Sequence, residues 1–267
     1  MDLGLKDKIA LVTGATSGVG SEVALSLAKE GANVAVNYRG SPQEADALVS
    51  EIAANGGKAK AYQADVADFA AVKAMVDDIV KDFGGLNILI NNAGLAIRRR
   101  FMETKPEDWH RQINACLYGA IHCCYATASH LHAANNGRIV SIVGDSSRIG
   151  ESGLAIVAAA RAGTIALMKS LAREFGRSNT TANTVALGLV ETCTTRSGST
   201  LTAKGCSSSI RWAASACRPM WRRWSRCSPR RIPAGSPDRC SASAAGSVWC
   251  EGAAVLRPRH RGDRLQA

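Results

Sequence analysis

An α/β fold, a doubly wound parallel sheet with helices on both faces in three αβα layers, is predicted by three observations. Short β-branched apolar runs alternate strictly with amphipathic segments from Lys8 to Gly188. The connections between them are short, which is how parallel strands joined by right-handed crossovers look in sequence. A glycine-rich stretch, TGATSGVG at residues 13–20, stands where the first strand runs into the first helix.

The elements follow in order. KIALVTG, from Lys8, is an apolar run ending in glycine, as expected of a strand buried on both faces. SEVALSLAKEG predicts a helix with Val23, Leu25, Leu27 and Ala28 on its apolar stripe and Gly31 as the stop. NVAVNY is the second strand, PQEADALVSEIAAN the second helix and KAKAYQAD the third strand. AAVKAMVDDIVKDFG is the third helix and NILINNAG the fourth strand. One long helix is predicted over EDWHRQINACLYGAIHCCYATASHLHAA, then the strand RIVSIVG, a helix through LAIVAAARAGTIALMKSLAREFG, and a sixth strand in TANTVALG.

Charge divides the chain of 267 residues into 1–195 and 196–267. The second part holds thirteen Arg and one Lys against Asp238, Glu251 and Asp263, and so carries the whole net charge of +11. The first part has 19 basic and 19 acidic residues and is expected to be an ordinary neutral domain. Its cysteines, Cys116, Cys123, Cys124 and Cys193, form no CxxC pair, and Cys123 and Cys124 sit in an apolar helix as core thiols. The histidines show no ligand spacing with carboxylates, so no metal is assigned. No signal-peptide pattern opens the chain and no apolar run is judged long enough to span a bilayer; a cytoplasmic location is expected.

The glycine stretch has a physical use at a strand-helix junction. Gly14, Gly18 and Gly20 let the backbone turn and approach a pyrophosphate, with Thr16, Ser17 and Val19 completing the loop at the helix N-terminus. The alternative is that they are structural turn glycines. The second strand ends in Asn37, Tyr38 and Arg39, with no Asp or Glu to take adenosine ribose hydroxyls. An acidic residue would repel a 2′-phosphate and Arg39 could bind one, which favours NADP(H) over NAD(H). Otherwise Arg39 is a solvated loop charge.

TGATSGVG, Asp65 and Val66 after the third strand, NNAG at residues 91–94, Asn114, and GRIVSIVG with its long helix together resemble the short-chain dehydrogenase/reductase family, from about Lys6 to Thr192. Within it the sequence is similar to 3-oxoacyl-carrier-protein reductases and to dehydrogenases of cyclic alcohols and their thioesters. The resemblance implies a Rossmann-type fold, an NAD(P)(H)-dependent oxidoreductase acting on a small-molecule alcohol/carbonyl pair, and a homotetramer. It implies that Asn91, Asn92, Ala93 and Gly94 brace the sheet beside the cofactor, that Asp65 faces the adenine, and that Asn114 holds a water in a proton relay. Val66, Gly188 and Thr192 join the expected cofactor contacts.

The chain departs from the family pattern at its centre. The family places a serine after the fifth strand and a Tyr-x-x-x-Lys pair on the next helix. Here the three positions fall on Gly144, Val157 and Arg161, with Ser146 or Ser147 a substitute for the serine only if the loop shifts register. A phenol lowered by a neighbouring ammonium can give the proton that a developing alkoxide needs; valine has none to give. Arg161 can hold the cofactor ribose and supply charge but cannot deprotonate near neutral pH. Catalysis is therefore expected to be impaired, and a non-catalytic nucleotide-binding or scaffold protein is the competing reading.

The family normally ends in a helix and a strand reading close to WITGQVLSVSGG. Residues 235–246 read GSPDRCSASAAG. Back-translated and read one nucleotide upstream, they permit WITGQVLSVSGG at every position, and RPMWRRWSRCS at 218–228 permits PADVAPMVALL. Residues 196–267 are thus read as a low-order tail translated out of frame, with the last strand and its helix lost. Polyanion or nucleic-acid binding through its Arg and Trp residues is the minor alternative.

Overall fold

The structure is a computed structural model that describes residues 3–188 and Val190. The expected loss of a last strand and helix, the frame reading and Thr192 lie outside the described residues.

Six strands form one parallel sheet in the order β3-β2-β1-β4-β5-β6. They are β1 (Ile9–Val12), β2 (Asn33–Tyr38), β3 (Lys58–Gln63), β4 (Ile88–Asn91), β5 (Arg138–Gly144) and β6 (Thr181–Leu187). The connecting helices are α1 (Gly18–Lys29), α2 (Pro42–Ala54), α3 (Phe69–Phe83), α4 (Pro106–Ile113), α5 (Gly119–Ala133), α6 (Ser146–Ile149) and α7 (Ala155–Glu174). Every strand pairs with its neighbours in parallel, as the alternation predicts. This is a Rossmann-type doubly wound sheet.

Because strand side chains alternate, the central strands feed two separate cores. Ala10, Val12, Ile88, Ile90 and Val140 meet Val23, Leu27, Leu48 and Ile52 of α1 and α2. Leu11, Leu89 and Ile139 meet Val72, Met75 and Ile79 of α3, Cys123 and Leu131 of α5, and Met168 of α7. Each fully buried Leu or Ile contributes about 1.5–3 kcal/mol. The outer strands differ: β3 keeps only Tyr62 buried, and β6 only Ala182.

Four features depart from the expectation. Helix α1 begins at Gly18, one turn before the apolar stripe starts. The single helix expected over 107–134 is two helices joined by a π-helical turn, Asn114–Tyr118, in which the Gly119 N–H donates to the Asn114 carbonyl five residues back. A short α6 occupies the loop after β5. Helix α7 is also long and apolar enough, with a hydropathy of 1.4, to meet the length and composition of a membrane span, contrary to the expectation that no such run exists. It instead packs on β5 and β6, burying Val157, Ala160, Thr164, Ile165, Met168 and Ala172 at helical spacing.

The strand order reverses between β1 and β4. The chain leaves β1 toward β2 and leaves β4 toward β5, so the loops at their carboxyl ends part and open a crevice.

Candidate active site

The glycine loop and the NNAG segment are one interlocked unit. Thr13 Oγ1 donates to the Ile90 carbonyl at 3.2 Å and accepts from the Asn92 and Ala93 N–H groups, both at 3.0 Å. Asn92 Nδ2 donates back to the carbonyls of Thr13 (3.0 Å) and Gly14 (2.9 Å). The fit is too tight for side chains. A β-carbon on Gly14, whose φ is +58°, would lie 2.9 Å from the Ala93 Cα, and one on Gly20 would strike the Gly14 carbonyl and lie 2.5 Å from Asn92 Nδ2.

Past this brace, α1 starts with no side-chain cap from Ser17 and no acidic residue in its first turn. Its first N–H groups and the positive end of its dipole are therefore left for an anion. Thr16 and Val19 are half-buried and Ser17 is exposed at this end. The cradle fits a pyrophosphate.

The second strand's end has two different residues. Asn37 is buried, and its Oδ1 accepts from the Gly14 N–H at 3.2 Å while Nδ2 donates to the carbonyls of Ala64 (3.1 Å), Tyr62 and Tyr38 (both 3.4 Å). It fastens the glycine loop to β2 and β3 rather than facing outward. Arg39 is exposed, with only its carbonyl engaged, by Gln63 Nε2 at 3.1 Å; it makes no ion pair among the described residues. Asp65 Oδ1 accepts from the Ala67 N–H at 2.9 Å, which turns the chain after β3. Val66 is buried, its carbonyl 2.9 Å from His122 Nδ1 and its side chain against Gly119.

One pocket gathers Thr13, Val66, Asn91, Ala93, Cys116, Arg161 and Thr164 at the carboxyl ends of the strands. Asn91 Nδ2 donates to Ser141 Oγ at 3.2 Å and approaches Cys124 Sγ at 3.4 Å, while its Oδ1 is buried without a partner. Burial pushes the Cys124 thiol up to about 12, against the opposing Asn91 contact, so it stays protonated. Arg161 is half-buried and its guanidinium lies between two glycines. A β-carbon on Gly94 would sit 2.9 Å from Nη2 and one on Gly144 would sit 3.4 Å from Nη1.

Val157 is buried at 2% exposure with Cys116 and Ala160, and Ile113, Leu117 and Leu154 pack around them. Where the resemblance calls for a proton donor, the described residues present an apolar surface. Ser146 opens α6, and its Oγ is 3.3 Å from the β-carbon position of Gly144. Its hydroxyl thus borders the space that a serine at 144 would use. Asn114 is exposed at the start of the π-helical turn, and Gly188 is exposed beyond β6.

Two residues at this site were not expected from sequence. Thr13 carries the brace, yet a threonine ahead of glycines has no signal of its own. Cys116 Sγ lies 3.4 Å from both the N–H and the carbonyl of Leu95, tying the π-helical turn to the NNAG loop, and Thr164 Oγ1 donates to the Cys116 carbonyl at 3.1 Å. Nothing in an apolar helix distinguishes such a cysteine from a core thiol. Among the described residues no group of three or more His, Cys, Asp or Glu could hold a metal ion.

Fold and site together define a Rossmann-type α/β protein with its crevice at the carboxyl edge of the sheet, between a glycine loop and the helix after β5. Residues 8–201 match the family model for short chain dehydrogenase. The chain belongs to that family, whose members are NAD(P)-dependent oxidoreductases. It is 42% identical over 183 residues to the 3-oxoacyl-[acyl-carrier-protein] reductase FabG of Staphylococcus aureus strain Mu50, covering 68% of this chain and 74% of that one. It is 35% identical over 190 residues to the (2S)-[(R)-hydroxy(phenyl)methyl]succinyl-CoA dehydrogenase subunit BbsD of Thauera aromatica, 71% and 76% of the two chains. A solved short chain dehydrogenase of Burkholderia cenocepacia J2315, in complex with NADP, superposes with a TM-score of 0.68 at 36% identity, over 73% of this chain and 80% of that one.

Proposed function

We propose that the protein binds NADP(H) in preference to NAD(H) and takes a small alcohol/carbonyl pair beside it, with turnover held low by the loss of its proton donor. The observation that carries this reading is the glycine loop: it is locked to NNAG and opens onto the uncapped start of α1. Gly14, Thr16, Ser17, Gly18, Val19 and Gly20 would hold the pyrophosphate, with Asn37 keeping the loop in place. Arg39 would meet the adenosine 2′-phosphate, Asp65 and Val66 the adenine, and Asn92, Ala93, Gly94, Arg161, Gly188 and Thr192 the nicotinamide end. When bound, the cofactor supplies or accepts the hydride.

The chain's own part is positioning and charge. Arg161 stabilises negative charge at the carboxyl ends of β4 and β5, Ser146 offers a hydroxyl over Gly144, and Asn114 stands at the π-helical turn to hold a water. None replaces a titrating phenol, because a guanidinium is a poor proton relay and the Val157 side chain has no proton to give. Positioned acid catalysis is worth about 100- to 10,000-fold, and a loss of that order is expected here. By analogy with the family we place the protein in the cytoplasm as a homotetramer, and we read residues 196–267 as out-of-frame translation.

Fluorescence titration tests the cofactor assignment. Tighter binding of NADPH than NADH is expected, with the difference lost in Arg39→Ala. Equal affinities, or an unchanged preference in the variant, would overturn it. The apolar packing of Val157 favours a second reading, a nucleotide-binding protein without chemistry. Nucleotide affinity with no turnover against any ketone would establish that reading instead.

A further inference from the structure

We propose that a buried water joins Asn91 to Arg161, and that Asn91 is thereby a positioning residue for the charge in the cleft. The proposal deepens the reading above by naming what places the guanidinium. It rests on that reading only in the cofactor part of its test.

The orientation of the Asn91 amide follows from its surroundings. The Ser141 hydroxyl gives its proton to Met168 Sδ at 3.2 Å, so its oxygen accepts from Asn91 Nδ2, which also faces Cys124 Sγ. Neither Ser141 nor Cys124 lines the pocket at the carboxyl ends of the strands, whereas Asn91 does. The amide therefore turns its Nδ2 edge away from the pocket and leaves Oδ1 on the pocket's side. Asn91 is only 6% exposed, and Oδ1 has no partner among the described residues. A buried acceptor without a donor is costly, which calls for a donor inside the pocket.

The other side chains of the pocket narrow what that donor is. Thr13 Oγ1 is saturated, because it donates to the Ile90 carbonyl and accepts from two N–H groups. Cys116 Sγ is taken up by the Leu95 backbone. Thr164 Oγ1 turns its proton toward the Cys116 and Ala160 carbonyls and keeps only accepting capacity. Arg161 is half-buried and makes no hydrogen bond or ion pair among the described residues, so its N–H groups are the donors left over.

The pocket thus presents two acceptors, Asn91 Oδ1 and Thr164 Oγ1, and one cation. A second cation would be repelled by the guanidinium, and a simple anion has no proton to give the two oxygens. A neutral molecule that donates twice and accepts once satisfies all three, and the pocket has room for about one water. About three hydrogen bonds are usual for a buried water. Held this way, Arg161 is fixed to β4 as well as to its own helix.

Magnetic relaxation dispersion of water counts buried waters that exchange slowly, and it needs no turnover. The full chain should lose a single such water in Asn91→Leu, which keeps the branched shape of the side chain without its polar atoms. Arg161→Met should lose the same water, and the double variant no more than either. Circular dichroism melts confirm folding, and Arg161→Met, at a half-buried position, decides if Asn91→Leu does not fold. NADPH titration then separates positioning from a merely structural role. Asn91→Leu should weaken binding about threefold or more when Arg161 is present and leave it unchanged in the Arg161→Met background. Unchanged dispersion in either folded variant, additive losses in the double variant, or equal weakening in both backgrounds would overturn the proposal. A wild-type chain that bound no NADPH would remove the cofactor assignment alone, and the dispersion of the two variants would still decide the water.

Discussion

Gly144 and Arg161 are neighbours, while Val157 belongs to a separate apolar cluster. Val157 closes an apolar cluster with Cys116 and Ala160, and Arg161 spreads over two glycines that leave it room. On the proposed reading, restoring a proton donor involves all three positions. Val157→Tyr alone should cost about 1–3 kcal/mol through overpacking and give little activity. Gly144→Ser with Val157→Tyr and Arg161→Lys should raise carbonyl reduction by about 100-fold or more, read as NADPH oxidation at 340 nm. An unmodified chain that turned over as fast as the triple variant would show that another proton donor exists. The positions of these residues could be counted along the sequence from Gly137, but their consequence could not. That Ser146 borders the Gly144 space depends on the short α6, whose four residues carry no periodic signal.

The glycine loop, α1 and the π-helical turn show what elements add. Gly20 is the tightest joint, since any β-carbon there meets the Gly14 carbonyl and Asn92. Gly20→Ala should destabilise the fold by about 1–3 kcal/mol in urea melts and weaken NADPH binding at least tenfold, because the loop must shift to admit the methyl. Wild-type stability and affinity in this variant would mean that the brace is loose. Strand and helix identities were legible because buried parallel strands and amphipathic helices leave strong apolar patterns. The helix break was not. A π-helical turn adds one residue inside a helical run, and Gly119 at its end does not mark it in sequence, because a single glycine is tolerated inside a helical pattern. The buried role of Asn37 was equally hidden, because its partners are carbonyls from Tyr62 and Ala64, far along the chain.

At the scale of the molecule, β6 is the outer strand of the described sheet that lies nearest residues 196–267 in sequence. It pairs with β5 on one side and buries only Ala182, although TANTVAL has the apolar content of an inner strand. A further strand and a covering helix beyond an outer strand would add backbone pairing and apolar burial. A chain with the frame restored after Thr192 should therefore unfold at higher urea concentration than the present one and show less light scattering on heating. Equal midpoints and scattering would remove the stability argument for the frame reading. The two cores have a different consequence, which concerns how energies combine. The sheet keeps Ile52, among α1 and α2, from touching Ile79, among α3, α5 and α7. Ile52→Val and Ile79→Val should each cost about 0.5–1.5 kcal/mol. In a double-mutant cycle the two should sum to within about 0.3–0.5 kcal/mol, so that chemical denaturation reads the faces as independent contributors to one cooperative transition. A larger coupling would mean that the sheet transmits strain between its faces, and that a change behind α1 can be felt at the helix that carries Arg161.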